Sequence, residues 1–164
     1  MIVIMIIGVV YTLAVTKLKS YGEEKVTPSL ANLKEYLESF TKEEEAQRVK
    51  LLCLDDCDTC SIYVDEVEIA TLEGFLDESV RVYRYDFLQG AVEKKEDVFF
   101  NDEDVQERVC FSFEVDKYGI SEQLLVVYKE KAYDYTTYFE PTALYDSLED
   151  LLEKKENDIQ EVMR

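Results

Sequence analysis

Two cysteines, Cys57 and Cys60, stand just beyond a short apolar run, residues 49–54 (VKLLCL), and this junction constrains the fold more than any other stretch of the chain. A run of that length without a helical stripe suits a strand buried on both faces. A C-x-x-C pair follows that strand directly, and a helix and a second strand after it complete a strand–helix–strand unit. The residues that follow fit. Cys60, Tyr63, Val64, Val67, Ala70 and Gly74 lie at helical spacing, so a helix is predicted to about residue 77. Residues 80–87 (VRVYRYDF) then alternate, with β-branched and aromatic side chains, and read as a strand.

The flanking segments extend the same pattern. Thr27 and Pro28 are an N-cap and a first helical residue, ahead of Leu30, Leu33, Leu37 and Phe40 at helical spacing. A third helix is predicted over residues 102–118, closed by Gly119, although residues 110–115 (CFSFEV) also alternate and fit a strand. Residues 124–128 (LLVVY) form a central strand. Lys129, Glu130 and Lys131 turn the chain into a second strand that carries Tyr133, Tyr135, Thr137 and Phe139 on one face, giving an antiparallel hairpin. Pro141 opens a last helix with Leu144, Leu148, Leu151, Leu152, Ile159 and Val162 on its buried side. Alternating strands and helices of this kind predict an α/β domain, a mixed sheet with helices on both faces.

Composition narrows the chemistry. The 164 residues include 37 acidic and 18 basic side chains, a net charge of −19 that repels phosphate backbones and excludes nucleic acid as a partner. Histidine is absent, which removes His-dependent nucleophilic catalysis and His-ligated metals. Cysteine or carboxylates must carry any chemistry. Residues 2–15 are uncharged and too short to span a bilayer comfortably, so residues 1–16 are expected to be a secretory signal, or else an uncleaved anchor and the sole source of membrane contact. A domain over residues 22–155 and an acidic helical tail over residues 156–164 complete the expected organisation. A secretory start implies an oxidising compartment in which disulfides persist.

Strand, C-x-x-C, helix and strand, followed by Lys117-Tyr118-Gly119-Ile120 before an apolar strand and then by a closing amphipathic helix, resemble the thioredoxin fold. The segment Tyr118-Gly119-Ile120-Ser121-Glu122-Gln123-Leu124-Leu125-Val126-Val127-Tyr128-Lys129 is similar to one in the non-catalytic domains of the protein disulfide isomerase superfamily, and calsequestrin has a related segment. The resemblance implies a single thioredoxin-like domain in the endoplasmic reticulum lumen or outside the cell. It implies thiol–disulfide exchange with Cys57 as nucleophile and Cys60 as resolving thiol, a Cys57–Cys60 disulfide, client proteins bearing cysteines or basic surfaces, and no cofactor or metal.

Several positions depart from that family. Asp55, Asp56 and Asp58 surround Cys57 and raise a thiol pKa, Gln123 or Glu122 stands in the place of the family's cis-proline, and Leu51 replaces its buried carboxylate. A redox-inactive protein-binding module with an idle or structural Cys57–Cys60 pair is therefore the alternative, followed by loose, calsequestrin-like calcium binding. Cys53 and Cys110 read as small core residues, and a zinc site built from all four cysteines requires Cys110 to fold back onto the other three. Tyr83, Tyr85, Tyr133, Tyr135 and Tyr138 read as packing, or as a sugar or peptide platform.

Overall fold

Between residues 48 and 145, side-chain alternation governs the chain. The computed structural model describes residues 27–43, 45–95, 97–100 and 104–162; the expected signal, residues 1–16, lies outside the described residues. Within them ten strands form: β1 (Arg48–Leu54), β2 (Thr59–Val64), β3 (Val67–Glu73), β4 (Arg81–Asp86), β5 (Gly90–Glu93), β6 (Asp97–Phe100), β7 (Gln106–Asp116), β8 (Leu125–Tyr128), β9 (Lys131–Asp134) and β10 (Ala143–Tyr145). Two α-helices flank them, α1 (Leu33–Glu43) and α2 (Leu148–Val162). The first sheet has the order β3-β2-β1-β7-β6 and the second β10-β9-β8-β4-β5. Every strand pairing in both sheets is antiparallel.

This overturns the expected α/β architecture. A mixed sheet with helices on both faces, the thioredoxin-like arrangement, requires parallel strands joined by helical crossovers. The helix predicted after Cys60 is instead the β2–β3 hairpin. Thr59, Ile62, Val64, Val67 and Ile69 are β-branched and suit a pleated surface better than a helix. The turn Asp65-Glu66 has φ of 46° and 75°, and two successive left-handed residues match the twist of a tight hairpin. The Asp65 carboxylate accepts hydrogen bonds from the Gln47 and Arg48 amides at 2.9–3.1 Å, which holds the turn against the start of β1. The helix predicted over residues 102–118 is likewise β7, whose alternation places Phe111, Phe113 and Val115 in the core.

One core lies between the sheets. Val49, Leu51 and Cys53 of β1, Ile62 of β2 and the inward residues of β7 meet Val126 of β8, Leu124 just before β8 and Tyr135 just after β9, with Leu33 and Leu37 of α1 among them. A smaller cluster occupies the opposite face of the second sheet, where Leu125, Ala132 and Leu151 are buried with Tyr83, Tyr85, Val127, Tyr145, Leu148 and Leu152 around them. Alternate residues of β8 thus serve different cores, which is why residues 124–128 are apolar throughout. Helix α2 covers that outer face. Its Lys155 Nζ lies 2.7 Å from Asp134 Oδ2 and 2.6 Å from Thr136 Oγ1, both at the end of β9. Ser147 caps the helix, its Oγ accepting the Asp150 amide at 3.1 Å. The first helix is fastened differently: buried Lys34 donates to the carbonyls of Thr137, Tyr138 and Glu140 at 3.2, 2.5 and 3.3 Å.

Candidate functional site

Cys57 and Cys60 occupy the β1–β2 hairpin. Residues 55–58 form its loop, with Asp55 at φ 52° and Cys57 at φ 66°. The Cys57 amide donates to the Leu54 carbonyl at 3.0 Å and the Asp58 amide to Asp56 Oδ1 at 3.2 Å. No helix begins here. The dipole and unpaired amides that favour a thiolate at a helix N-terminus are therefore not aimed at Cys57.

The cysteines pair otherwise than the resemblance implied. In the β1–β2 register Cys53 stands directly opposite Cys60, with Cα atoms 4.1 Å apart, and the two form a disulfide. Cys57 is joined to Cys110 of β7. The expected Cys57–Cys60 bond is thus replaced by two bonds that draw on all four cysteines, and no free cysteine remains among the described residues. Cys110 does fold back onto the hairpin, as a disulfide partner rather than a zinc ligand. A bulge makes this possible: Cys53 pairs with Phe111 and Leu54 with Val109, which leaves Cys110 as the extra residue of β7. An extra residue breaks strict alternation and re-aims its side chain, here towards buried Cys57. Cys60 Sγ lies 3.8 Å from the Cys57 carbonyl oxygen, so the two disulfides are neighbours.

The expected tyrosine platform is divided. Tyr83 and Tyr85 pack in the cluster under α2, Tyr133 packs against the main core, and Tyr135 is buried within it. Among the described residues no group of three or more Cys, Asp or Glu is placed to hold a metal ion.

Two concavities among the described residues bear on function. A groove of about 630 Å³ runs over the outer face of the first sheet, which neither α1 nor α2 among the described residues covers. Leu52, Tyr63, Phe99 and Phe100 supply its apolar and aromatic surface, and Asp65, Glu66, Glu68 and Glu114 border it together with Arg48 and Lys50. Arg48 lies 3.3 Å from Glu66 and 4.0 Å from Glu114. A cleft of about 410 Å³ opens between the sheets beside Cys110, bordered by Arg81, Lys94, Lys95 and Arg108. Spacing in the sequence announced neither, because each is assembled from strands far apart in the chain.

Two disulfides fit a secreted or lumenal, oxidising compartment, and no described helix is long and apolar enough to cross a membrane. Comparison with models of protein families, with curated proteins and with solved structures found no match, so a functional reading rests on these two concavities and on the chain's charge.

Proposed function

We propose that this chain is a disulfide-stapled protein-recognition module of the endoplasmic reticulum lumen or the cell exterior, whose first sheet binds an extended, cationic segment of a partner protein. This is the protein-binding alternative among the three functions expected from the sequence. The groove on the first sheet carries the reading. It combines the half-buried aromatic surface of Tyr63 and Phe99 with four bordering carboxylates against two cations, one of which is already engaged by Glu66 and Glu114. An extended segment presents alternate side chains to a sheet face, so Leu or Ile can meet Tyr63 and Phe99 while Lys or Arg meets the rim. The net charge of −19 steers such a partner inward at low salt. Exchange through Cys57 and Cys60 has less behind it, since the two are not bonded to each other and Cys57 heads no helix.

A fluorescein-labelled nonapeptide alternating Lys and Leu tests the proposal by fluorescence anisotropy. Saturable binding that weakens with salt is expected, with Phe99→Ala and Glu66→Lys each raising Kd roughly tenfold, the scale of a well-placed interface residue. Equal binding of the peptide alternating Glu and Leu, or parent-like Kd values in both variants, would overturn it.

A further inference from the structure

The cleft between the sheets is lined by one cysteine of a disulfide and by more cations than carboxylates. Cys53, Cys57 and Cys60 are completely buried, whereas Cys110, in its bulge, is half-buried and lines the cleft. Access decides which sulfur of a disulfide is attacked. The lining holds four cations, Arg81, Lys94, Lys95 and Arg108, against the three carboxylates of Glu78, Glu93 and Asp97. A local excess of positive charge is unexpected in a chain whose net charge is −19. Arg81 is fixed in place by the carbonyls of Glu78 and Val80, 2.7 and 2.8 Å from its Nη1, bonds that orient the guanidinium without neutralising it. Arg108, two residues from Cys110, is anchored by the Asp55 carbonyl at 2.6 Å and lies 3.9 Å from a carboxylate oxygen of Glu78. Lys94 is paired with Asp97 and Glu122, and Lys95 is exposed.

We infer that the Cys57–Cys110 disulfide is a thiol-exchange site for an anionic low-molecular-weight thiol, whose carboxylates the cleft cations hold while its sulfur meets Cys110. The thiolate attacks Cys110 Sγ and forms a new S–S bond. The Cys57–Cys110 bond breaks, its electron pair passes to Cys57 Sγ, and that thiolate takes a proton from water. A second thiolate attacks the small-molecule sulfur of the mixed disulfide, releasing the symmetric small disulfide and leaving Cys110 as a thiolate. Two thiols are thereby oxidised and one protein disulfide reduced. The buried Cys53–Cys60 bond takes no part, and the peptide groove on the outer face of the first sheet is not required.

Glutathione, 2-mercaptoethanol and cysteamine, which are anionic, neutral and cationic, provide the test on the full chain under native conditions. Each rate is divided by that thiol's rate on a small neutral disulfide, which removes differences in intrinsic nucleophilicity. Acid quenching, alkylation and peptide mapping then report which cysteines have opened. Cys57 and Cys110 are expected to open before Cys53 and Cys60, with a glutathione adduct at Cys110. Glutathione is expected to be the fastest of the three, by about threefold or more over cysteamine. The chain's overall field on its own favours the cationic thiol, so this order reports the cleft. Lys95→Glu and Arg81→Gln are expected to abolish the glutathione advantage. Simultaneous opening of both disulfides, an adduct at Cys57, cysteamine as the fastest thiol, or an unchanged order in both variants would each overturn the inference.

Discussion

Tyr135 carries a hydroxyl into the space between the sheets. It is 1% exposed, its ring lies 4.6 Å from that of Phe113, and its hydroxyl donates to the carbonyl of Leu30, in the single helical turn Leu30–Asn32 that leads into α1. One side chain thus links the second sheet, β7 and the N-terminal helical turn. Burial pushes its phenol well above the ordinary value of 10.0, with smaller contributions from Tyr133 and Glu35. A folded-state pKa raised above the unfolded one contributes stability that is fully present below pH 10 and is lost as pH rises from there through the folded value. The urea midpoint is therefore expected to fall above about pH 10, and Tyr135→Phe to make that fall less steep. At neutral pH the same variant is expected to cost about 1 kcal/mol, because the Leu30 carbonyl loses its buried donor. An alkaline slope identical in parent and variant would assign the titration to other groups.

At the scale of elements, α2 is held to the second sheet by one shielded ion pair as well as by Leu151. Asp134 and Lys155 are only 5% and 15% exposed in their side chains, and Lys155 also lies 5.1 Å from the centroid of Tyr85. Removing one member of such a pair leaves the other charged, buried and unpaired. Lys155→Ala is expected to lower stability by about 3 kcal/mol in urea unfolding, and Lys155→Ala combined with Asp134→Ala to cost less than Lys155→Ala alone. Elements differ in how plainly the sequence announces them. The β8–β9 hairpin is legible because an apolar run meets a charged turn, and Lys129 and Glu130 adopt the φ values of 48° and 67° that a tight hairpin needs. The apolar run of β1 and the alternation of β4 are equally plain. The β2–β3 hairpin is not, since Cys60, Tyr63, Val64, Val67 and Ala70 also fall at helical spacing and Asp65-Glu66 lacks the Gly or Asn that marks such a turn. In β7 the two periods compete, and Gly119, expected as a helix cap at φ 76°, instead closes the turn in which its amide donates to the Asp116 carbonyl. Pro141 opens no helix; β10 intervenes, and α2 starts only after Ser147. Of the site, the cysteines stand out in the sequence but their partners do not. C-x-x-C spacing is the same at a helix start and on a hairpin, and only the strand register and the bulge choose Cys53 for Cys60 and Cys110 for Cys57.

Across the whole molecule the two disulfides divide their labour unequally. Both lie in the first sheet and its hairpin, while the second sheet has none and relies on α2. Cys53–Cys60 spans 7 residues of sequence and duplicates a contact that the β1–β2 ladder already makes. Cys57–Cys110 spans 53 residues, a stretch that includes β4 and β5 of the second sheet, so it restrains the unfolded chain across both layers. Loop-closure entropy gives about 2.5 kcal/mol for the short bridge and about 4 kcal/mol for the long one. Cys57→Ala with Cys110→Ala is therefore expected to lower stability by about 1.5 kcal/mol more than Cys53→Ala with Cys60→Ala, as read from urea unfolding. Three of the four cysteines are completely buried and Cys110 is half-buried, so the packing lost on truncation to Ala is similar in the two double variants and the difference isolates the loop. The urea slope should rise in both, and more in the long-bridge variant, because a chain freed of its 53-residue link exposes more surface when unfolded. Equal losses and equal slopes would place the stabilising effect in native contacts around the bulge, and the restraint across the two sheets would then belong to the shared core alone.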